Sequence, residues 1–149
     1  MQLAYAFIAD AATLTPDGKL GVLGGDFQII QARQFPAIQP AISLVLKVRG
    51  TVEEWREEHH LQVRVVDSSG QSIHPDVDGP IPHLKPALSP DLPMGVAVIV
   101  NYQGIQFHEA GDYAFRVALD RDEVASVLVR VVRGQALEES GAAGEEQAV

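Results

Sequence analysis

Alternation of apolar and polar residues with a period of two runs through most of the chain and limits its fold more than any other feature. In the segment AISLVLKVRG, residues 41–50, every second residue is apolar and falls on one face: Ile42, Leu44, Leu46 and Val48. The segment HLQVRVVD, residues 60–67, repeats the pattern. Successive side chains of a strand point to opposite faces, so this period indicates strands with one buried face. The sequence therefore predicts an all-β protein.

A hairpin near the end of the chain is the most clearly defined pair of strands. The segments YAFRVALDR, from Tyr113, and VASVLVRVV, from Val124, alternate in the same way and are joined by the polar turn DRDE. Such a short polar connection is typical of adjacent antiparallel strands. Further strands are predicted at residues 3–9, within 20–31 and from Met94. We expect one antiparallel β-sandwich of about seven to nine strands over residues 1–133.

The segment HEAGDYAF, residues 108–115, indicates which kind of sandwich this is. An acidic residue, a small residue and glycine precede a tyrosine, Tyr113, that opens an alternating strand. This order resembles the tyrosine corner of immunoglobulin-like domains, in which the phenol hydrogen-bonds to the backbone just upstream. The motif predicts an immunoglobulin-like topology and implies no function.

Charge and composition indicate which classes of binding partner and which chemistry are not expected of the chain. The chain of 149 residues has a net charge of −9, and residues 134–149 contribute four glutamates and no basic residue, as expected of a disordered acidic tail. The basic residues are scattered, so we expect neither nucleic acid nor membranes as partners. With no cysteine, the chain has no thiolate chemistry. The apolar run at the N-terminus is cut by Asp10, too early for a signal peptide, so a cytoplasmic location is expected.

Several local patterns are interpreted structurally. PDGKLGVLGGDFQII, residues 16–30, is rich in glycine but has neither the lysine of a phosphate-binding loop nor a following helix, so it predicts a turn at Gly18 and a bulge at Gly24 and Gly25. Phe27 and Ile29 are then expected in the core. TVEEWREEHH, residues 51–60, is the one candidate helix, or else a polar loop, in which Trp55 serves as a packing anchor.

Candidate ligand-binding residues lie close to or within a proline-rich segment, residues 74–93, which is predicted to be a long excursion across an edge strand. Its only candidates for a metal or small-ligand site are His74, Asp76, Asp78 and His83. His59 and His60 are adjacent and point to opposite faces of a strand, so they are not expected to bind one ion. Asp120 and Asp122 are interpreted as turn residues. No catalytic residue, cofactor site or metal site is predicted.

Short motifs along the chain resemble a family of small uncharacterised bacterial proteins, known only as a domain of unknown function. They are DGKLGVLG from Asp17, FP at residues 35–36, AISLVLKV, HLQVRVVDSSG, and GDYAFRVALDRDEVASVLVRVV. The resemblance extends over about residues 1–133. It implies an all-β fold and brings no activity, cofactor or site residue with it.

Three functions stay open at this point. The first is a non-catalytic binding or protein-interaction module, since no catalytic constellation accompanies the strands. The second is small-ligand or metal binding, including hydrolysis, by loops at one end of the sandwich. The third is self-assembly, as a homodimer or larger structure, through an edge strand or apolar face, because alternation places Val66, Ile99 and Leu128 outward.

Overall fold

The protein is all-β, with nine strands in the part of the chain that the structure describes. The structure is a computed structural model, and it describes residues 1–82 and 94–134. The strands are β1 (Gln2–Leu14), β2 (Leu20–Gly25), β3 (Ile29–Ala32), β4 (Ala37–Gly50), β5 (His60–Val66), β6 (Val77–Pro80), β7 (Met94–Phe107), β8 (Gly111–Leu119) and β9 (Asp122–Arg133). Among the described residues we find no helical segment with the length and hydrophobicity that a membrane span requires. The predicted cytoplasmic location stays a prediction.

Two sheets enclose one core. The first has the strand order β2-β1-β4-β7, and the second has the order β3-β9-β8-β5-β6. Alternate residues of both sheets point inward and are almost completely buried; the largest of them are Phe107, Phe115, Ile8, Ile42, Leu44, Leu46 and Ile105. Burial of one face of each sheet explains the period of two in the sequence. The prediction of an all-β protein is confirmed.

Pairing within the sheets is antiparallel with one exception. The predicted hairpin is β8–β9, and it pairs along its whole length from Gly111 opposite Val131 to Leu119 opposite Asp122. β3, however, runs parallel to the end of β9, from Ile29 opposite Arg130. The prediction of a purely antiparallel sandwich is therefore wrong at this edge. A strand as short as β3 can join parallel because it enters the sheet from a loop rather than from a hairpin.

The glycine-rich stretch forms the expected turn but no bulge. Gly18 has a positive φ of 83° in the turn between β1 and β2. The pairing of these strands keeps one regular register from Leu14 opposite Leu20 to Ala9 opposite Gly25, contrary to the prediction. Gly24 also has a positive φ, and a Cβ atom there would overlap the Asp10 carboxylate. Glycine is favoured because its positive φ is strained for other residues, and a side chain would also have to displace that of Asp10.

Residues that follow this stretch differ from the prediction in one respect. Phe27 packs against the core as expected. Ile29 is 59% exposed, so its predicted place in the core is wrong. Ile29 pairs with Arg130, which lies on the outer face of β9, and residues that pair directly share a face. Ile30 therefore points inward instead.

The candidate helix is a single 3₁₀ turn, Glu54–Arg56. Thr51 and Glu54 cap each other: the Glu54 N–H donates to Thr51 Oγ1 at 3.2 Å, and the Thr51 N–H donates to Glu54 Oε1 at 3.0 Å. This is the reciprocal bonding of a capping box. Trp55 is buried, and its Nε1–H donates to the Met94 carbonyl at 3.0 Å, so its predicted role as a packing anchor is confirmed.

The proline-rich segment is described only as far as Pro82. It contains the short strand β6, which pairs with β5 at the edge of the second sheet, from His60 opposite Pro80. Proline is tolerated there because an outer edge needs no N–H donor. The segment thus covers the edge of β5. His83 and the rest of residues 74–93, like the acidic tail beyond Gly134, lie outside the described residues.

Two buried tyrosines provide a test of the core. Tyr113 Oη donates to the Glu109 carbonyl at 2.6 Å, which is the hydrogen bond predicted for the tyrosine corner. Tyr102 Oη has no hydrogen-bond partner among the described residues. Burial, together with the Asp76 carboxylate, raises the pKa of the Tyr102 phenol well above its usual value.

We expect opposite results when each hydroxyl is removed. Tyr113→Phe should lower the free energy of unfolding by about 1 kcal/mol, because it removes a satisfied hydrogen bond. Tyr102→Phe should leave stability unchanged or raise it by up to about 1 kcal/mol, because it removes a buried polar atom without a partner. Urea unfolding followed by circular dichroism measures both. A loss of stability in Tyr102→Phe equal to that in Tyr113→Phe would contradict this account.

Candidate functional site

The residues predicted as a metal or ligand site do not come together. The His74 ring packs edge-on against Tyr102, with ring centroids 5.5 Å apart. Asp76 Oδ2 lies 3.7 Å from Arg64 Nε, and Asp78 contacts the His60 ring. His83 lies outside the described residues. His74 and Asp76 both lie near Tyr102, whereas Asp78 contacts His60, and residues 1–82 and 94–134 contain no group of three potential metal ligands.

The two adjacent histidines diverge as predicted. His59 Nδ1 lies 2.6 Å from Asp120 Oδ2, whereas the His60 ring contacts Asp78 on the neighbouring strand β6. The other oxygen of Asp120 accepts the His60 backbone N–H at 2.8 Å. Asp120 is therefore a turn residue, as predicted. Its carboxylate hydrogen-bonds to His60, the first residue of β5, and to His59 just before that strand.

These contacts imply a pH-dependent stability. Burial opposes ionisation of the Asp120 carboxyl, but the hydrogen bonds from His59 and His60 outweigh it, so the pKa of Asp120 lies below its usual value. A pKa lowered by folding stabilises the protein above the unfolded pKa of about 3.9, and the contribution is lost as the pH falls. Asp120→Asn keeps an acceptor for the His60 N–H and suits the positive φ of 50° at this position.

We expect Asp120→Asn to melt below the wild type at about pH 7, and the two melting curves to converge as the pH falls to about 3. Thermal unfolding by circular dichroism across this range measures the difference. Glu57→Gln, at an exposed carboxylate just after the 3₁₀ turn, is the control for a carboxylate outside this contact. A difference that is constant with pH would show that the charge of Asp120 is not what stabilises the turn.

A groove lies between the two sheets, beside the first halves of β1 and β9. It has a volume of about 660 Å³. Its walls are apolar side chains that also pack against the core, and its rim is charged. The lining residues include Leu3, Ala6, Asp26, Phe27, Ile29, Asp112, Val127, Leu128 and Arg130.

Incomplete strand pairing creates this groove. β4 pairs with β1 from Gln2 to Ala9, while β2 covers the other side of β1 only from Ala9 onwards. β3 pairs with β9 only from Arg130 onwards. The first half of β1 is thus paired only with β4, and the first half of β9 only with β8, among the described strands. The other side of each half is an open edge. These two open edges border the groove.

The loop between β2 and β3 closes one end of the groove. Asp26 has a positive φ of 59° that turns the chain out of β2, and its N–H donates to the Ile8 carbonyl at 2.7 Å. Two residues on, the Gln28 carbonyl accepts the Arg130 N–H, also at 2.7 Å. The loop is thereby fixed to both sheets, and the groove is a preformed feature of the fold.

The open edge of β9 presents backbone hydrogen-bonding groups to the groove. Because the Arg130 N–H points toward β3, strand alternation directs the backbone groups of Leu128 and Ser126 to the same side. The pairing of β9 with β8 shifts by one residue at Val124, because Val117 lies opposite Ala125 and Ala118 lies opposite Glu123. The regular alternation of backbone groups along β9 therefore begins at Ala125. We call the stretch Ala125–Val129, with these outward-facing groups, the β9 edge.

Charged residues beside the β9 edge are paired with each other. Arg130 Nε donates to Asp112 Oδ1 at 2.6 Å, and this hydrogen bond lowers the pKa of the Asp112 carboxyl. Arg116 binds both oxygens of Glu123 at 2.7 Å. Both pairs lie at the solvent-exposed surface, where they contribute little stability. They do leave the surface around the β9 edge close to neutral.

Leu128 is the most exposed apolar residue of this region, at 65%. The sequence predicted its outward position, and this is confirmed. Val66 was predicted to be outward as well, but it is only 3% exposed, because the turn after β5 folds back and Ser72 bridges to it. Ile99 is half-buried opposite Val45. Of the three, only Leu128 presents a largely free apolar side chain.

Comparison with known proteins identifies the family. Residues 4–132 match the model of a family of unknown function, DUF6941. The chain belongs to this family. The predicted membership in a domain of unknown function is confirmed, and DUF6941 carries no activity, cofactor or site with it. No curated protein sequence matches the chain.

One solved structure is similar to the chain. It is the Pseudomonas fluorescens alkylpurine DNA glycosylase AlkC bound to DNA containing an abasic site analog. The match has 13% identity and a TM-score of 0.38, and it covers 87% of this chain and 30% of that one. The chain therefore spans about 30% of the length of that structure. Such a TM-score is too low to indicate a shared fold.

Proposed function

We propose that this DUF6941 protein is a non-catalytic protein-interaction module whose docking surface is the β9 edge and the groove beside it. The observation that supports this most directly is the edge itself. The backbone groups of the β9 edge face outward and pair with no described strand, and a preformed groove with apolar walls lies beside them. Exposed edges of this kind accept an additional strand, and proteins use them for recognition.

The groove suits an extended segment of protein better than a small molecule. An added strand bonds through its main chain to the groups of Ser126 and Leu128, while its inward side chains contact apolar residues such as Leu3 and Phe27. Main-chain bonds supply affinity, and the shape of the groove supplies specificity. The alternative of ligand binding or hydrolysis by the end loops has less support, because the His74 ring packs against Tyr102, while Asp76 and Asp78 contact Arg64 and His60.

We also propose that the sandwich is immunoglobulin-like. In such domains strands A, B and E share one sheet and strands C, F and G the other. β1, β4 and β7 are adjacent in the first sheet, and β5, β8 and β9 in the second, in the places of these six strands. The Tyr113 hydrogen bond at the start of β8, the counterpart of strand F, further supports this assignment.

Photo-crosslinking in the cells that produce the protein tests the proposed function. A photoreactive phenylalanine analogue replaces Leu128, and in a control it replaces Gln71, an exposed residue of the turn after β5. We expect a discrete protein adduct at position 128 and none at position 71. Adducts at both positions, or at neither, would contradict a docking surface at the β9 edge.

A further inference from the structure

We infer that a depression on the outer face of the second sheet, beside the β8–β9 turn, binds a phosphate group. The depression has a volume of about 150 Å³. Its lining residues are Gln62, Arg64, Arg116, Val117, Ala118, Arg121 and Glu123, and we call it the arginine depression. None of them belongs to the β9 edge, so the inference is independent of the proposed function.

Two arginines lie directly opposite each other in the arginine depression. Arg64 of β5 pairs with Arg116 of β8 in the register of the sheet. Both point away from the core, because the neighbouring pair, Val65 and Phe115, is buried. Like charges at directly opposite positions of a sheet are destabilising. A bound anion between the two guanidinium groups would remove this repulsion.

Arg121 brings a third guanidinium group to the depression from a turn that disfavours arginine. Two residues, Asp120 and Arg121, join β8 to β9, and their φ angles are positive, 50° and 74°. Glycine is preferred at the second position of such a turn because it adopts a positive φ without strain. Arginine at that position costs stability but supplies a charge, and strain of this kind is common at binding sites.

The charge of the arginine depression suits a phosphate group. Glu123 is the one carboxylate that we find among its described lining residues, and it is bound by Arg116 Nε and Nη2. Arg64 and Arg121 supply two further positive charges. Asp76 offsets the first only in part, because it lies 3.7 Å from Arg64 Nε and outside the lining. A phosphate group carries a charge of about −1.5 to −2 at neutral pH.

Arg121 has no ion pair within the part of the chain that the structure describes. The arginines paired with carboxylates there are Arg56, Arg64, Arg116 and Arg130. A guanidinium group offers several N–H donors in one plane and binds phosphate oxygens through two of them at once. Arg121 is therefore the principal phosphate ligand, and Arg64 is the second.

The size of the depression restricts what it recognises. Sites for drug-sized ligands enclose about 300–1,000 Å³, so a volume of about 150 Å³ accepts the phosphate group and leaves its carrier in solvent. Free phosphate and a phosphorylated side chain share this chemistry. Inorganic phosphate is therefore an adequate first probe.

Titration of the ¹⁵N-labelled full-length chain with sodium phosphate, followed by NMR, tests the inference. Sodium chloride keeps the ionic strength constant. We expect saturable shifts of the Arg64 and Arg121 Nε–H signals in the wild type. The dissociation constant, measured from backbone amide shifts around the depression, should rise about tenfold or more in Arg64→Gln and in Arg121→Gly, because each variant loses a charged donor. Arg56→Gln, at an exposed arginine paired with Glu53, is the matched control and should leave the affinity unchanged.

Two variants distinguish loss of the site from loss of the fold. Arg121→Gly should melt about 2–4 °C above the wild type, because glycine relieves the strained turn, while it binds phosphate more weakly. Glu123→Gln should bind phosphate several times more tightly, because it removes the carboxylate of the site and releases Arg116. Circular dichroism measures the melting temperatures.

The inference is overturned if phosphate causes no saturable shifts, or if its affinity is the same in Arg64→Gln and Arg121→Gly as in the wild type. Weaker binding by Glu123→Gln would also contradict it. The same titration with a short phosphoserine peptide distinguishes the two sources of the group. Tighter binding of the peptide than of inorganic phosphate assigns the site to a phosphorylated protein, and equal or weaker binding assigns it to free phosphate.

Discussion

Phe115→Ala should lower the free energy of unfolding by about 3–5 kcal/mol, because it removes one of the largest buried side chains and leaves a cavity. Phe115 lies in the middle of β8, opposite Val65 on β5 and Val127 on β9. Its ring packs edge-on against Tyr102 of the facing sheet, with centroids 5.5 Å apart. The side chain thus contacts the two halves of the core at once, and neighbouring strands have little freedom to fill the space.

For a domain of this size each kcal/mol shifts the melting temperature by about 2–4 °C, so Phe115→Ala should melt about 6–20 °C below the wild type. Phe115→Leu retains most of the apolar volume and should lose less than about 2 kcal/mol. Leu128→Ala, on the exposed edge, should stay within about 0.5 kcal/mol of the wild type in the monomeric state. A small effect of Phe115→Ala, similar to that of Leu128→Ala, would show that the sheets do not share the core described above.

Burial explains which parts of the fold could be predicted. The alternation in β8, and in β9 from Ala125 onwards, is regular because one face of each strand meets the core there, as at Phe115 and Val129. The place of Tyr113 and its hydrogen bond followed from a local motif whose geometry depends on only a few neighbouring residues. Features of this kind are set within one strand or one turn, so the sequence alone is sufficient to predict them.

The incorrect predictions concern residues whose environment comes from elsewhere in the chain. Ile29 is outward because the short strand β3 takes its register from β9, a hundred residues away in sequence. Val66 is covered by the turn that follows it. β6 was missed because its sequence, VDGP, has no apolar period and contains a proline that only an edge strand tolerates.

The groove could not have been predicted for the same reason. Its existence depends on where pairing stops: β2 covers β1 from Ala9 onwards, and β3 covers β9 from Arg130 onwards. Neither limit has a local signal in the sequence. Alternation did indicate that Leu128 points outward, but an exposed leucine by itself is common at protein surfaces. Only the structure places it beside an open edge and an apolar groove.

Trp55→Ala should destabilise the protein to about the same extent as Phe115→Ala, by about 3–5 kcal/mol, although Trp55 lies in a connection and not in a strand. The indole is buried and packs against the core, and its Nε1–H binds the Met94 carbonyl at the start of β7. A Cβ atom on Gly50, at the end of β4, would lie 3.0 Å from Nε1, so the ring fits closely against two strands of the first sheet. The connection between β4 and β5 is thereby fixed to that sheet.

Trp55→Phe separates the two contributions of this side chain. Phenylalanine retains much of the apolar surface but leaves the Met94 carbonyl without its donor, at a cost of about 1–3 kcal/mol. Trp55 is the only tryptophan, so unfolding of both variants is followed by circular dichroism rather than fluorescence. If Trp55→Phe is as unstable as Trp55→Ala, the hydrogen bond and not the packing fixes the connection. If both variants are as stable as the wild type, the connection contributes nothing to the core, and the anchoring role assigned to Trp55 is wrong.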